Sequence, residues 1–228
     1  MTGKKKILQN GLYCITGEEF SRGRTNIQIV REMIAAGIKT IQYREKEKHD
    51  RDKYQECLEI RKMTEDAGVV FIVNDDVALA LSVKADGVHI GQDDLPFHKV
   101  RELTGGDKII GFSTHSPRQA REAVAMGADY IGVGPIFRTF TKKDVCEPVG
   151  LEYLDYAVGN CPIPFVAIGG IKEDNIADVA GRGARLICAV TEILEADNIR
   201  EKILSLREKM ELAAANKSVP HIVGGKNN

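Results

Sequence analysis

The chain has 228 residues, of which 43% are hydrophobic and 29% are charged, so it is long enough to bury one sizeable core in a single domain. Its 32 Lys and Arg residues nearly balance its 33 Asp and Glu residues, which excludes a global charge that would recruit nucleic acid or an acidic membrane surface. No apolar run approaches the roughly 20 residues needed to span a membrane. The five cysteines are scattered, without C-x-x-C spacing or a signal peptide, and predict reduced thiols in a cytoplasmic protein.

Short apolar runs alternate with segments of helical spacing along the whole chain. The runs predict eight strands, at Gly11 to Thr16, Thr40 to Arg44, Val70 to Asn74, Gly87 to Gly91, Lys108 to Ser113, Tyr130 to Pro135, Pro164 to Gly169 and Arg185 to Val190. The intervening segments predict helices that include Asn26 to Ala36, Asp50 to Ala67, Pro117 to Met126, Asp174 to Gly181 and Asn198 to Ala213. Eight βα units indicate an α/β fold, a single-domain (β/α)₈ TIM barrel over residues 7–213, rather than an open doubly wound sheet. Residues 1–6 and 214–228 are expected to be flexible tails.

Polar side chains follow the second strand, at the end where a barrel places its active groups. Gln42, Arg44 and Lys46 alternate, which sends all three to one face if the strand continues that far. Arg offers a planar fork of donors and Lys a point charge, and both suit phosphate. The alternative is a surface ion-pair cluster with Glu45 and Glu47.

Carboxylates follow the third and fourth strands. Asp75 comes directly after Asn74, and Asp93 and Asp94 follow the fourth strand. Neighbouring strands lie roughly 4.8 Å apart, so carboxylates from the two strand ends can share one cation. Carboxylate oxygens suit Mg²⁺, which takes further ligands from a substrate phosphate. Helix capping is the competing role, and we expect it for Asp76 and Asp93.

The fourth, fifth and sixth strands contribute further polar groups. His89 lies inside a strand with no second histidine at zinc-ligand spacing, which leaves both hydrogen-bonded packing and ligand contact open. Ser113 has no G-x-S-x-G elbow, so we expect a hydrogen-bonding group rather than an acyl nucleophile. The long connection after the sixth strand predicts a binding loop or lid, in which Thr139, Thr141 and Lys142 supply two hydroxyls and a cation.

The last two strands end in groups typical of a phosphate cradle. The seventh ends in Gly169 and Gly170, where exposed backbone N–H groups can approach a ligand closely, and the eighth ends in Val190 and Thr191. The loops after these two strands are the usual phosphate site of a TIM barrel. With the cationic site at strands two to four, this second anion site predicts two phosphorylated substrates.

The ordered combination of these segments resembles the thiamine-phosphate synthase family from Gly11 to about Met210. The matching segments include Gln42-Tyr-Arg-Glu-Lys46, Val73-Asn-Asp75, Gly87-Val-His-Ile-Gly-Gln-Asp-Asp94, Gly111-Phe-Ser-Thr-His115, Thr139-Phe-Thr-Lys142 and Ile168-Gly-Gly-Ile171. The resemblance implies a transferase that joins hydroxymethylpyrimidine diphosphate to a thiazole phosphate and releases pyrophosphate. It implies a dissociative mechanism, in which pyrophosphate leaves before the thiazole nitrogen attacks, and no redox cofactor.

The resemblance also implies a role for each matching residue. The diphosphate would be held by Arg44, Lys46, Asn74 and Lys142, the Mg²⁺ by Asp75 and Asp94, the pyrimidine by Gln42, Ser113 and Thr139, the thiazole by Thr141, and the thiazole phosphate by Gly170, Val190 and Thr191. The catalytic residues would be Lys46, Ser113 and Lys142. The chain departs from the family at Arg138, where proline is usual, and at Thr191, where serine is common but the hydroxyl is kept.

Two other functions remain as alternatives. A thiazole tautomerase is a sister enzyme on a similar barrel, but it would not need Lys46, Asp75, Asp94 and Lys142 together. A non-catalytic barrel that senses thiamine phosphates would have little use for a metal and a leaving-group site. The expected partners are therefore small-molecule substrates, with no nucleic acid and no membrane, and the sequence leaves a homo-oligomer open.

Overall fold

Eight parallel strands close into a barrel. The structure is a computed structural model that describes residues 8–141 and 146–217. Its strands are β1 (Gly11–Ile15), β2 (Thr40–Tyr43), β3 (Val70–Asn74), β4 (Gly87–Ile90), β5 (Ile109–Thr114), β6 (Tyr130–Val133), β7 (Phe165–Ile168) and β8 (Leu186–Cys188). Each strand pairs in parallel with the next in chain order, and β8 pairs with β1. The predicted (β/α)₈ barrel is confirmed.

Helices follow the strands and form the outer layer. They are α1 (Asn26–Ala35), α2 (Asp50–Asp66), α3 (Val77–Ser82), α4 (Phe97–Thr104), α5 (Pro117–Met126), α6 (Gly150–Asn160), α7 (Ile176–Arg182), α8 (Val190–Leu194) and α9 (Ile199–Lys217). The described part of the chain contains no helix long and apolar enough to cross a membrane.

Two element boundaries differ from prediction near the end of the chain. The eighth strand ends at Cys188 instead of Val190, because Val190 begins the short helix α8. An apolar run of this length cannot be divided between a strand and the first turn of a helix by periodicity alone. The last helix runs to Lys217, past the predicted end at Ala213, and alanine has the highest helix propensity in the run that extends it.

Helix capping follows the sequence in one of the two predicted places. The Asp76 side chain accepts a hydrogen bond from the backbone N–H of Leu79 and caps α3, as expected. Asp93 does not cap α4, so that prediction is wrong. The residue that precedes α4 is Pro96, and Asp93 lies three residues further back, too far to reach the first free N–H groups.

The core has two layers, which follow from the alternation of side chains along each strand. On β1, Leu12 and Cys14 point outward and pack with the helices, while Tyr13 and Ile15 point into the barrel. The interior layer is mainly apolar and is completed by Val70, Ile72, Ile109, Tyr130, Val166, Leu186 and Cys188. These side chains therefore fill the interior of the barrel, and a binding site can open only at the carboxyl ends of the strands.

Candidate functional site

A cavity of about 190 Å³ opens at the carboxyl ends of the strands. Every strand or the loop that follows it contributes to its wall. The predicted site residues that line it are Gln42, Arg44, Lys46, Asn74, Asp75, Ser113, Thr139, Thr141, Gly170, Val190 and Thr191. Asp94 lies beside the cavity rather than in its wall, and Lys142 falls outside the described residues. The fold thus brings widely separated segments to one place, while their roles stay predictions.

The cationic side of the cavity is a loop and not an extension of β2. The strand ends at Tyr43, so Arg44 and Lys46 belong to the β2–α2 connection. The Arg44 backbone N–H donates to Thr16 Oγ1 at 3.0 Å, and its guanidinium contacts Glu19 Oε1 at 3.3 Å. Lys46 Nζ lies 2.5 Å from Asp75 Oδ2. These partners differ from the Glu45 and Glu47 of the surface-cluster alternative.

A partly buried ionic cluster lies beside this loop, and sequence reasoning missed it. Lys48 Nζ donates to Glu18 Oε1 at 2.6 Å and to Glu56 Oε1 at 2.9 Å. Glu56 is only 9% exposed and also accepts from the Tyr43 hydroxyl at 2.7 Å and the Asn26 amide at 3.1 Å. Burial would lower the pKa of Lys48, but its hydrogen bonds to the two glutamates outweigh burial and raise the pKa. The cluster ties the start of the loop to α1 and α2.

The two predicted metal ligands meet beside the cationic loop. Asp75 follows β3 with a left-handed φ of 60° and donates its backbone N–H to His89 O at 2.8 Å. Asp94 turns back onto the end of β4, where its Oδ2 accepts from the Gly91 N–H at 2.6 Å. Burial raises the pKa of Asp94, and the neighbouring charge of Asp75 raises it further. Two crowded carboxylates of this kind favour a bound cation.

The cation that suits this pair is one that takes oxygen ligands and shares them with a substrate. Within residues 8–141 and 146–217, no group of three or more His, Cys, Asp or Glu residues could hold a metal alone. Asp75 and Asp94 offer only carboxylate oxygens, which fits Mg²⁺ better than zinc. Mg²⁺ usually takes one or two protein carboxylates and completes its coordination with phosphate and water. The donor set therefore fits Mg²⁺ together with a phosphorylated ligand.

A row of hydrogen-bonded side chains crosses the floor of the cavity. It joins Gln42, Tyr13, Tyr130, His89 and Ser113 through contacts of 2.8 to 3.0 Å. Sequence reasoning identified Gln42 and Ser113 and left His89 open, but it missed the two tyrosines. Their signal was the alternation along β1 and β6, which points both rings into the barrel. Burial raises the pKa values of Tyr13 and Tyr130, which therefore stay protonated near neutral pH.

The opposite side of the cavity is built from backbone. Gly169 and Gly170 adopt left-handed φ values of 99° and 62°. A Cβ at Gly170 would lie 2.5 Å from Arg138 O, so only glycine allows the two loops to approach this closely. Val190 and Thr191 occupy the first turn of α8, whose N–H groups have no acceptor within the helix. This side can offer backbone donors to an anion.

The connection after β6 lies against this cradle. The Phe137 N–H donates to Gly169 O at 2.9 Å, which fixes the base of the connection. Thr139 and Thr141 join their hydroxyls at 3.1 Å and face the cavity. The unexpected charge of Arg138 lies 5.4 Å above the ring of Phe140, a side chain that is 81% exposed. Arg138 thus makes a cation–π contact with another residue of the same connection.

Comparison with known proteins agrees with this arrangement. A model of the family described as thiamine monophosphate synthase matches residues 12–193. A protein of Pelotomaculum thermopropionicum named thiamine-phosphate synthase is 63% identical over 205 residues, which covers 90% of this chain and 94% of the relative. One of the same name from Lawsonia intracellularis is 54% identical over 206 residues, covering 90% of this chain and 95% of the relative.

A solved structure shares both the fold and the sequence pattern. It is described as thiamine phosphate pyrophosphorylase from Pyrococcus furiosus and superposes with a TM-score of 0.81. The two proteins are 34% identical, and the match covers 89% of this chain and 96% of the other. The two curated relatives and this solved structure match the chain along nearly their whole length.

Proposed function

Because the chain belongs to the thiamine monophosphate synthase family, we propose that it joins hydroxymethylpyrimidine diphosphate to thiazole phosphate, giving thiamine phosphate and pyrophosphate. One observation carries the assignment of the site. A single cavity has a cationic loop and a carboxylate pair on one side and a backbone cradle on the other, which matches a substrate with a diphosphate and a second with a monophosphate. The substrates are small molecules, and we propose that the enzyme acts on them in the cytoplasm.

The cationic side receives the leaving group. Arg44 and Lys46 neutralise the diphosphate oxygens, and Asn74 at the end of β3 donates hydrogen bonds to them. Arg44 contacts Glu19 and Lys46 contacts Asp75, and both cations line the cavity. Lys142, in the connection after β6, is proposed as a further cation for the same group. These residues stabilise negative charge as the bond to pyrophosphate breaks.

Asp75 and Asp94 would hold the Mg²⁺. When bound, the ion supplies Lewis-acid stabilisation of the phosphate oxygens on which negative charge develops. Lys46 Nζ lies 2.5 Å from Asp75 Oδ2, so the protein cation and the carboxylate pair are placed to act on the same leaving group. The raised pKa of Asp94 supports this role, because a second positive charge beside the pair would relieve the repulsion between the two carboxylates.

The remaining residues position the two reacting rings. Gln42, Ser113, Thr139 and Thr141 line the cavity. We propose that the first three bind the pyrimidine and that Thr141 contacts the thiazole. Gly170, Val190 and Thr191 hold the thiazole phosphate through backbone N–H groups and a hydroxyl. Holding both substrates in one cavity converts their encounter into a step within a single complex.

The reaction needs stabilised charge more than a general base. The carbon–oxygen bond to pyrophosphate breaks first, and its electron pair leaves with the oxygen. The thiazole nitrogen then forms the new bond to the pyrimidine methylene carbon with its own lone pair, so no proton has to be removed.

The test is incubation of the full-length chain with both substrates and Mg²⁺. Thiamine phosphate and pyrophosphate are expected in equal amounts, and omission of either substrate should abolish thiamine phosphate. Product in a thiazole tautomerisation assay, with no coupling, would overturn the proposal in favour of the tautomerase. The same assay repeated with a chelator and then with added Mg²⁺ tests the metal: full activity in the presence of chelator contradicts it.

Asp94→Ala is expected to lose coupling, because it removes half of the carboxylate pair, and to keep the fold, because Asp94 lies in the connection between β4 and α4 and not in the core. Circular dichroism and pyrophosphate release provide the two readouts. Asp93→Ala is the matched control, since Asp93 neither caps α4 nor lines the cavity. Pyrophosphate release at the wild-type rate in Asp94→Ala would remove Asp94 from the metal site.

A further inference from the structure

The hydrogen bonds along the row of side chains on the cavity floor all donate in the same direction. Gln42 Nε2 lies 2.8 Å from the Tyr13 hydroxyl, which lies 2.8 Å from the Tyr130 hydroxyl. The Tyr130 hydroxyl lies 2.9 Å from His89 Nδ1, and His89 Nε2 lies 3.0 Å from Ser113 Oγ. All five members line the cavity, with Gln42 and Ser113 at the two ends of the row and Tyr13, Tyr130 and His89 connecting them.

The position of each hydroxyl hydrogen follows from counting donors. The Tyr13 hydroxyl is buried and has two partners in the described part of the chain, the Gln42 amide nitrogen and the Tyr130 hydroxyl. The amide nitrogen only donates, so the Tyr13 hydrogen must go to Tyr130. Tyr130 is equally buried, and its own hydrogen then goes to His89 Nδ1.

This direction determines the tautomer of the histidine. Because Nδ1 accepts from Tyr130, the imidazole proton of neutral His89 is on Nε2, which donates to Ser113 Oγ. Ser113 therefore receives one hydrogen bond from within the barrel and can direct its own hydrogen into the cavity. At the other end, Gln42 gives its nitrogen to Tyr13 and keeps its carbonyl oxygen as an acceptor.

We propose that Tyr13, Tyr130 and His89 are positioning residues that make Ser113 a hydrogen-bond donor and Gln42 an acceptor toward the pyrimidine ring. This inference rests on the proposed function, since it concerns the substrate of the same cavity. An aminopyrimidine carries ring nitrogens that accept and an amino group that donates, and the fixed pair complements both. A pyrimidine with the opposite pattern, such as one with a ring N–H beside a carbonyl, would place its own donor opposite a donor of the protein. The cavity therefore rejects it.

The glycines around His89 support the same arrangement independently of where the hydrogens lie. A Cβ at Gly111 would lie 2.1 Å from Cζ of Tyr130 and 2.4 Å from Nδ1 of His89, at the hydrogen bond between them. A Cβ at Gly132 would lie 3.5 Å from Cε1 of His89, an ordinary van der Waals contact, so the close approach is specific to Gly111. The backbone thus leaves space for Tyr130 and His89 to meet at this one position.

Nitrogen NMR on the full-length chain with ¹⁵N-labelled histidine tests the direction without any substrate. The chain has five histidines, and the His89 signal is identified by its loss in His89→Asn. At about pH 8, where a free imidazole is neutral, we expect a protonated Nε2 and an unprotonated Nδ1. The opposite tautomer in the wild-type chain would overturn the proposal.

Three tyrosine variants then separate positioning from packing. Tyr130→Phe should lose the tautomer preference and raise KM for the pyrimidine diphosphate about tenfold, with KM for the thiazole phosphate within about twofold of wild type. Tyr13→Phe should raise the same KM but keep the His89 tautomer, because the Tyr130 donor remains. Tyr153→Phe is the matched control: it removes a buried hydroxyl that bonds to Thr114 at 2.6 Å outside the row, and both readouts should stay unchanged.

The results distinguish this inference from the proposed function. The positioning role would be overturned if Tyr130→Phe matched Tyr153→Phe in both the His89 tautomer and KM for the pyrimidine diphosphate. If Tyr130→Phe does not fold, the wild-type spectrum and the Tyr13→Phe kinetics still decide the question. A wild-type chain that makes no thiamine phosphate would contradict the proposed function, whereas the tautomer would still report the direction of the row.

Discussion

At the scale of single residues, Gly111 provides the space in which the floor of the cavity forms. Its neighbours are Tyr130 and His89, whose rings lie 5.3 Å apart between centroids and are joined by a hydrogen bond of 2.9 Å. Any side chain at this position would enter that bond. The identity of one backbone position in β5 therefore controls a contact between β4 and β6, strands on either side of it.

Gly111→Ala is expected to destabilise the protein by about 1–3 kcal/mol, because the added methyl group forces rings in a packed interior to move. The free energy of unfolding in denaturant measures this change, and KM for the pyrimidine diphosphate should rise with it. Gly106→Ala is the control, since a Cβ there meets nothing within 4 Å. Equal stability of the two variants would mean that the rings separate without strain.

Residue-level prediction from the sequence succeeded where side chains at strand ends converge and failed where they pack inside. Arg44, Asn74 and Ser113 follow apolar runs, so barrel geometry alone predicts their meeting. Tyr13 and Tyr130 lie within such runs, where a tyrosine cannot be told from an ordinary apolar residue by pattern. Their polar role depends on His89, far away in the chain, and only the closed barrel brings the three together.

At the scale of elements, the β2–α2 connection is held by the cluster of Lys48, Glu18 and Glu56. Its glutamates come from the β1–α1 connection and from α2, so the cluster joins three elements beside Arg44 and Lys46. Burial would raise the pKa of Glu18, but the hydrogen bonds from Lys48 and the Asn26 backbone outweigh burial and lower it. The ionised pair is therefore favoured in the folded protein and stiffens the loop that carries the two cations.

Lys48→Met should raise KM for the pyrimidine diphosphate severalfold and leave KM for the thiazole phosphate unchanged, because only the cationic loop loses its anchor. We also expect a loss of about 1–3 kcal/mol in the free energy of unfolding, since Glu56 stays buried without its ammonium partner. Lys99→Met removes an exposed pair with Glu102 and should change stability by less than about 0.5 kcal/mol. Equal effects of the two substitutions on KM would contradict the anchoring role.

Helix boundaries were predictable where a glycine ends the helix or a capping side chain begins it. Gly127 ends α5 in a left-handed conformation, and Asp76 starts α3. The prediction failed at α8, where the apolar run of β8 continues into a helix without a breaker between them. Sequence reasoning missed the Lys48 cluster, because Glu18, Lys48 and Glu56 come from three separate elements that only the closed barrel brings together.

At the scale of the whole molecule, Glu173 links helix α9 to the side of the cavity that Gly170 and Thr191 line. It lies in the β7–α7 connection, just beyond Gly170, and accepts hydrogen bonds from Lys202 and from Ser205, the latter at 2.6 Å. Lys202 also reaches Glu192 in α8 at 3.0 Å. Helix α9 is thereby tied to both connections that form the proposed phosphate cradle, which couples the end of the chain to the site.

This link predicts a pH-dependent contribution to stability. The hydrogen bonds from Lys202 and Ser205 lower the pKa of Glu173 from 4.5 to about 2. A carboxylate whose pKa is lower in the folded than in the unfolded chain stabilises the fold fully above the unfolded value of 4.5, and this stabilisation is lost as the pH falls toward about 2. Solvent screening of this half-exposed group keeps the contribution near about 0.5–1 kcal/mol.

Glu173→Gln should therefore be less stable than the wild type near neutral pH, and the difference should shrink steadily as the pH is lowered from about 5 to about 2. Denaturant unfolding of both proteins across this range measures it. Asp178→Asn, which removes an exposed ion pair with Arg182 on α7, is the control for a general loss of surface charge. A difference between Glu173→Gln and wild type that stays constant down to about pH 2 would show that the glutamate acts by packing and not by charge. A raised KM for the thiazole phosphate at neutral pH, in Glu173→Gln but not in Asp178→Asn, would tie the same link to the cradle.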